Sequence, residues 1–195
     1  VQGFDGYDVI FPQGYDQIAQ DLAKDQIQLD GVVLNAGVFY PTSFMDSSPE
    51  DFDTTMNINT KGPFFTLQKL VPLMKSPASV VFVSSIAINK AFEGCSIYGA
   101  SKAAFEAVSR VANLELADKN IRINSVQPGV TATEIQGKAG MTEADQTSFF
   151  SQLEATPLGR VMNVQDQIGA IQFLLSDDSL AMRNAAIEVA GGQTL

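Results

Sequence analysis

Short β-branched runs recur along this chain at 31–34 (Gly-Val-Val-Leu, apolar throughout), 80–83 (Val-Val-Phe-Val), 121–126 and 186–189, each separated from the next by a stretch long enough for a helix. Strands that alternate with helices cannot pair as hairpins, so the pattern predicts a parallel α/β sheet. Runs that are apolar throughout, not on alternate residues, suit parallel strands covered on both faces. The run Asp-Val-Ile-Phe at 8–11 is a further candidate strand. Helices are expected at about 15–24, at 98–117 and at 163–175. Ser48-Pro-Glu-Asp51 reads as an N-cap, a proline at the first helical position and an acidic first turn, opening a long helix to about Lys75. The stretch 131–161 is irregular, with one or two short helices, and a connection of that length in a compact domain is often a functional lid.

The 195 residues suit one domain, and 45% hydrophobic content is ordinary for a globular protein. A formal net charge of -10 argues against nucleic acid or an anionic membrane surface as a partner, since both repel it. The one cysteine, Cys95, excludes an internal disulfide framework and suits a reducing cytoplasm. Its place between Ser85 and Tyr98 fits a small packed residue better than a group near a substrate. There is no histidine, which excludes Ser-His-Asp chemistry and a zinc site with imidazole ligands. Acid/base work near neutrality then falls to perturbed Tyr, Lys, Cys, Asp or Glu.

Tyr98 and Lys102, in Ser96-Ile-Tyr-Gly-Ala-Ser-Lys102, are the pair with the most chemical content. Spacing of i, i+4 puts both on one face of a helix. A phenol is a poor proton donor or acceptor at neutral pH, and a cation one turn away is expected to lower its pKa. Ser84-Ser85 follows the apolar run at 80–83, and Ser85 stands thirteen residues before Tyr98. A hydroxyl at a strand's C-terminal end and a Tyr/Lys pair opening the next helix can converge on one carbonyl or alcohol. Successive strand residues point to opposite faces, so only one of Ser84 and Ser85 can aim at Tyr98.

Other motifs stand in order around this pair: Leu34-Asn-Ala-Gly37, Asn57-Ile-Asn59-Thr-Lys-Gly62, Ile123-Asn-Ser-Val-Gln-Pro-Gly-Val-Thr-Ala-Thr133 and Val189-Ala-Gly-Gly192. Together they resemble the short-chain dehydrogenase/reductase family over roughly residues 7 to 195, with Ala190 where the family usually has Asp. The resemblance implies a Rossmann-like, doubly wound parallel sheet in three layers. It implies an NAD(P)-dependent oxidoreductase interconverting a carbonyl and a hydroxyl of a small molecule. Tyr98 would be the acid/base and Ser85, at the family's offset from it, the group that binds the reacting oxygen. Lys102 would lower the Tyr98 pKa and bind the nicotinamide ribose. Asn59, which fits the motif better than Asn57, would link Lys102 to a proton relay through water. Asn35, Ala36, Gly37, Pro128, Gly129 and Thr133, with Tyr98 and Lys102, would line the NAD or NADP site. The family also pairs two helices, at about 51–75 and 98–117, in a homodimer or homotetramer. Phe64, Phe65, Leu67, Leu70 and Val71 on the first, and Phe105, Val108, Val111 and Leu114 on the second, supply the apolar faces.

No three glycines have the Gly-x-x-x-Gly-x-Gly spacing that lets backbone amides approach a pyrophosphate at a helix N-terminus. About two strands and two helices of the usual fold, on the order of fifty residues, are missing before Asn35. Either the chain is a fragment or incomplete stretch of a longer protein or it is a naturally shortened member; if it begins at Val1, dinucleotide is expected to bind weakly or not at all. A different reading is a non-catalytic remnant of the fold that acts only through oligomerisation.

Overall fold

A computed structural model describes residues 12–195, so the candidate strand at 8–11 lies outside the described residues. The chain runs α1 (Pro12–Lys24), β1 (Leu29–Leu34), α2 (Pro49–Met56), a π-helical turn (Asn57–Lys61), α3 (Gly62–Leu70), β2 (Met74–Val83) and α4 (Ser96–Glu115). It continues through β3 (Ile121–Pro128), α5 (Ile135–Lys138), α6 (Glu143–Gln152), α7 (Val164–Leu175) and β4 (Ala186–Val189). The four strands form one sheet in the order β1-β2-β3-β4, every pair parallel.

Helices cover both faces of that sheet, giving the expected three layers. On one face Leu67 of α3 and Phe105 of α4 pack with Leu34, Val80, Phe82, Ile121 and Ile123. On the other, Leu174 of α7 packs against Val81 and Val126. A third cluster, Ile18, Leu22 and Leu70, fastens α1 to α3 beside β1. Strand residues thus alternate between two layers, which is why β2 ends in the unbroken apolar run 80–83, whereas β3 also buries Arg122, Asn124 and Ser125.

Two expectations need correction. The run 31–34 is not buried throughout: Leu34 is, but Val33 is 41% exposed. Among the described residues β1 pairs only with β2 and is an outer strand. The long helix from Pro49 stops well before Lys75. It passes through the π turn and α3, closes as a 3-10 turn over Val71–Leu73, and Met74 already begins β2. Pro63 has no N–H to donate to the Asn59 carbonyl, so the regular ladder cannot run through this point. The Gly62 amide instead reaches back five residues to the Asn57 carbonyl.

The N-cap reading holds at α2, where Ser48 Oγ accepts from the Asp51 amide and Asp51 returns the bond to the Ser48 amide. The stretch 131–161 carries α5 and α6, and Thr131 pairs with Met162 as an isolated parallel bridge. No helix among the described residues is long and apolar enough to cross a membrane.

Candidate active site

At its C-terminal end β2 passes into Ser84 and Ser85, and Ser85 caps a short 3-10 turn (Ile86–Ile88) by accepting from the Ala87 amide at 3.1 Å. The first turn of α4 packs against that turn. A Cβ on Gly99 would come within 2.9 Å of the Ala87 carbonyl oxygen, so a side chain there would push the helix off. This close approach brings Tyr98 to Ser85, whose hydroxyl acts on the phenol. Ser84 is turned away, its Oγ buried without a partner among the described residues. Alternation along the strand has separated the two serines as expected.

Phe39, just past the Asn-Ala-Gly turn, sets the edge of its ring against Tyr98 with centroids 5.1 Å apart. Burial pushes the Tyr98 phenol above its ordinary pKa, the Ser85 bond pulls the other way, and the nearby Cys95 thiol adds to the rise. This corrects the expectation that Lys102 lowers it. Lys102 is only 4% exposed, and its Nζ lies 5.8 Å from the Tyr98 ring centroid, donating to the Val83 carbonyl at 2.8 Å. Burial brings the Lys102 ammonium down to about 8, against which Glu106 acts to raise it.

Asn59 is fully buried in the π turn. Its Oδ1 accepts from the Val38 amide at 2.8 Å, and its Nδ2 donates to the Val38 carbonyl at 2.9 Å and to Ser101 Oγ at 3.0 Å. Ser101 Oγ in turn donates to the Tyr98 carbonyl at 2.7 Å. Thr60 Oγ1 donates to the Ser101 carbonyl at 2.9 Å. One buried amide therefore ties the turn after β1 to the turn of α4 that carries Tyr98. Single-turn π segments recur at functional positions because the widened turn re-aims a side chain.

Asn35, Ala36 and Gly37 lie exposed at the C-terminal end of β1. A Cβ on Gly37 would stand 3.2 Å from Lys102 Nζ and 3.3 Å from Asn59 Oδ1, so the glycine keeps the space before both groups open. At the end of β3, Pro128 is half-buried and Gly129 buried, the Gly129 amide bonding the Val189 carbonyl. Thr133 is exposed, with its amide donating to Gln136 Oε1 at 3.2 Å. The sites named from sequence at β1, β2, β3 and α4 therefore share the C-terminal edge of the sheet, where open α/β sheets bind ligands.

Sequence reading did not single out Ser101, Phe39, Glu106, Gln127 or Asn89. Ser101 could have been found, since it lies three residues after Tyr98 on the same helix face. The others depend on contacts between distant segments. Cys95, the half-buried N-cap of α4, lines an apolar groove of about 680 Å³ with Phe44, Ala87, Phe92, Gly99 and Ala103. Burial pushes its thiol up, away from the reactive thiolate. Neither Ser85 nor Tyr98 lines that groove.

Comparison with known proteins gives this arrangement a family. The family model described as Enoyl-(Acyl carrier protein) reductase matches residues 6–194. The trans-4-hydroxycyclohexanecarboxylate dehydrogenase of Sinomonas cyclohexanicum is 34% identical over 167 residues, 85% of this chain and 61% of that protein. A 3-oxoacyl-(acyl-carrier-protein) reductase of Thermotoga maritima is 31% identical over 178 residues, 90% of this chain and 70% of that protein. The crystal structure of an angucycline C-6 ketoreductase with bound NADP superposes with a TM-score of 0.85 at 27% identity, covering 95% of this chain and 73% of the other. The chain thus spans 61% of the length of the first of these relatives. With the parallel sheet and the order of its motifs, these likenesses establish that the chain belongs to the short-chain dehydrogenase/reductase family.

Proposed function

We propose that the protein is an NAD(P)-dependent oxidoreductase that interconverts a carbonyl and a hydroxyl on a small molecule, with Tyr98 as the acid/base. The observation that carries this reading is the close approach of α4 to the Ser85 turn at the C-terminal edge of the sheet, which sets the Tyr98 phenol against the Ser85 hydroxyl. Two hydroxyls that meet there can both address one oxygen of a substrate. Ser85 hydrogen-bonds the reacting oxygen, and Tyr98 gives it a proton on reduction or takes one on oxidation. Burial holds the Tyr98 phenol protonated at neutral pH, which suits the donor role in reduction.

The nicotinamide half of a dinucleotide fits the residues present. Gly37 leaves open space before Lys102 Nζ and Asn59 Oδ1, and Asn35, Ala36, Pro128, Gly129 and Thr133 flank the same edge. When bound, NAD or NADP supplies or accepts the hydride. Lys102 contributes a charge beside Tyr98 and a donor toward a ribose, and Asn59 holds the two backbone segments in register. The ketoreductase with bound NADP supports a nicotinamide dinucleotide without deciding between its two forms.

Homo-oligomerisation belongs to the same reading. Of the apolar residues named on the two helices, Leu67, Leu70 and Phe105 are spent in the core. Phe64, Val111 and Leu114 remain exposed, Leu114 at 77%, and offer α3 and α4 to a partner copy. A fold remnant that acts only through this surface is the competing reading.

The test is reduction of an acetoacetyl thioester and of 4-oxocyclohexanecarboxylate at millimolar NADPH, followed by chromatographic measurement of the alcohol formed. Tyr98→Phe removes only the phenolic oxygen and its proton, and loss of a general acid costs about 10²–10⁴-fold. Tyr98→Phe activity within about threefold of wild type removes Tyr98 from the mechanism.

A further inference from the structure

One group next to the proposed site has no part in the chemistry so far. Glu106 stands four residues after Lys102 on α4, which places both on one face of the helix. Gln127 Nε2, from β3, donates to Glu106 Oε1 at 3.3 Å. Gln127 Oε1 accepts from Asn89 Nδ2 at 2.8 Å. Asn89 is the residue that closes the 3-10 turn opened by Ser85. Gln127 is buried with both ends of its amide engaged, so it fixes the carboxylate from one side and the Ser85 turn from the other.

We propose that Glu106 is a positioning residue for Lys102. It supplies the negative charge that holds the buried ammonium in its cationic form, and the Asn89–Gln127 bridge keeps that charge in place. Lys102 needs such a partner. Its one hydrogen bond is to a neutral carbonyl, Val83, and its other near neighbours are the rings of Phe82 and Tyr98, at 5.0 and 5.8 Å. From β2 it meets the Val83 carbonyl and the Phe82 ring, from the π turn Asn59, and from the turn after β1 Gly37. None of these titrates. The titratable groups that face it among the described residues are Tyr98 and Glu106, both on its own helix. Tyr98 is held as the phenol, which leaves the Glu106 carboxylate as the acidic group one turn from Lys102.

The same bridge links the parts of the site mechanically. The Ser85 turn, β3 and α4 are joined through Asn89, Gln127 and Glu106.

This assignment deepens the reading of Lys102 as part of an acid/base set, but its test does not pass through catalysis. Lysine labelled with ¹³C and ¹⁵N is incorporated into the chain, Lys102 is assigned with Lys102→Arg, and its titration is followed by NMR. Glu106→Gln keeps the shape and the hydrogen bond to Gln127 while removing the charge. The Lys102 midpoint is expected to fall by about half a pH unit or more. Glu106→Asp, which keeps the charge on a shorter arm, is expected to lose less than half of that displacement. An unmoved midpoint in Glu106→Gln overturns the proposal, whether or not the protein turns over any substrate. Should Glu106→Gln fail to fold, Gln127→Ala decides, because it leaves the charge and frees it from its clamp. A downward shift there supports the proposal and an unmoved midpoint overturns it.

Discussion

Lys102 Nζ lies 5.8 Å from the centroid of the Tyr98 ring, yet its hydrogen bond goes to the Val83 carbonyl. The ammonium therefore stands over the ring and does not reach the hydroxyl. Without direct contact, burial becomes the largest influence on both groups and favours the neutral form of each. Tyr98 is held as a phenol and Lys102 is drawn toward the amine.

The state of Tyr98 is open to direct measurement. The chain has four tyrosines, and the difference between wild type and Tyr98→Phe in an ultraviolet titration isolates one of them. Tyr98 is expected to ionise above the ordinary phenol value, in the direction that its burial dictates. A difference signal that titrates below that value shows that Lys102, and not burial, sets the phenol.

Lys102 makes stability depend on pH in an unusual direction. Its pKa is 10.5 when unperturbed and about 8 in the fold. Below pH 8 both states carry the proton and the group contributes no slope. Between 8 and 10.5 the unfolded chain holds a proton that the folded chain has lost, so stability rises with pH. The full gain is on the order of 3 kcal/mol, at about 1.36 kcal/mol per pH unit. Urea unfolding at intervals from pH 7 to pH 10 is expected to show this rise in wild type. Lys102→Met is expected to flatten it and to be the more stable protein at pH 7. A slope unchanged in Lys102→Met assigns the rise to other groups.

The two serines offer a paired comparison at adjacent positions. Ser85 Oγ accepts from the Ala87 amide and draws the Tyr98 pKa down against burial, whereas Ser84 Oγ is buried without a partner among the described residues. Removing an unsatisfied buried hydroxyl is neutral or stabilising, by up to about 1 kcal/mol. Ser84→Ala is therefore expected to keep activity and stability, and Ser85→Ala to lose about 10²-fold in turnover. Equal losses in both variants, with carbonyl reduction and thermal unfolding measured side by side, leave the choice of Ser85 without support.

How much of this was legible in the sequence follows from the range of the forces involved. The strand–helix alternation, the Ser48 cap and the i, i+4 pair at Tyr98 are local, and each appears in the structure where the residues put it. The break at Asn57–Lys61 was half legible. Pro63 forbids a regular ladder, but a π turn forms only because Asn59 finds Val38 and Ser101 across the fold. The Tyr98 pKa was misjudged for the same reason. Spacing fixes that Lys102 is near, while burial and the competing Val83 carbonyl come from β2. Val33 reads as core because its neighbours are apolar, and its exposure depends on what stands beside β1.

The last prediction concerns the dinucleotide. The residues that flank the proposed nicotinamide half, Asn35 to Gly37, Tyr98, Lys102 and Thr133, are all in this chain, but no glycine turn with phosphate-binding spacing is. Backbone amides at a helix N-terminus hold a pyrophosphate through charge-assisted bonds and the helix dipole. Bonds of that kind contribute roughly 1.5–3 kcal/mol each. Losing two or three weakens binding by several orders of magnitude, at about 1.4 kcal/mol per tenfold. Calorimetric titration of these 195 residues with NADH and with NADPH is therefore expected to give dissociation constants on the order of millimolar or weaker. A longer chain that carries such a turn ahead of these residues is expected to bind with micromolar affinity. Micromolar affinity in the unextended chain means that another of its loops holds the phosphates, and the assignment of the cofactor edge must then be redrawn.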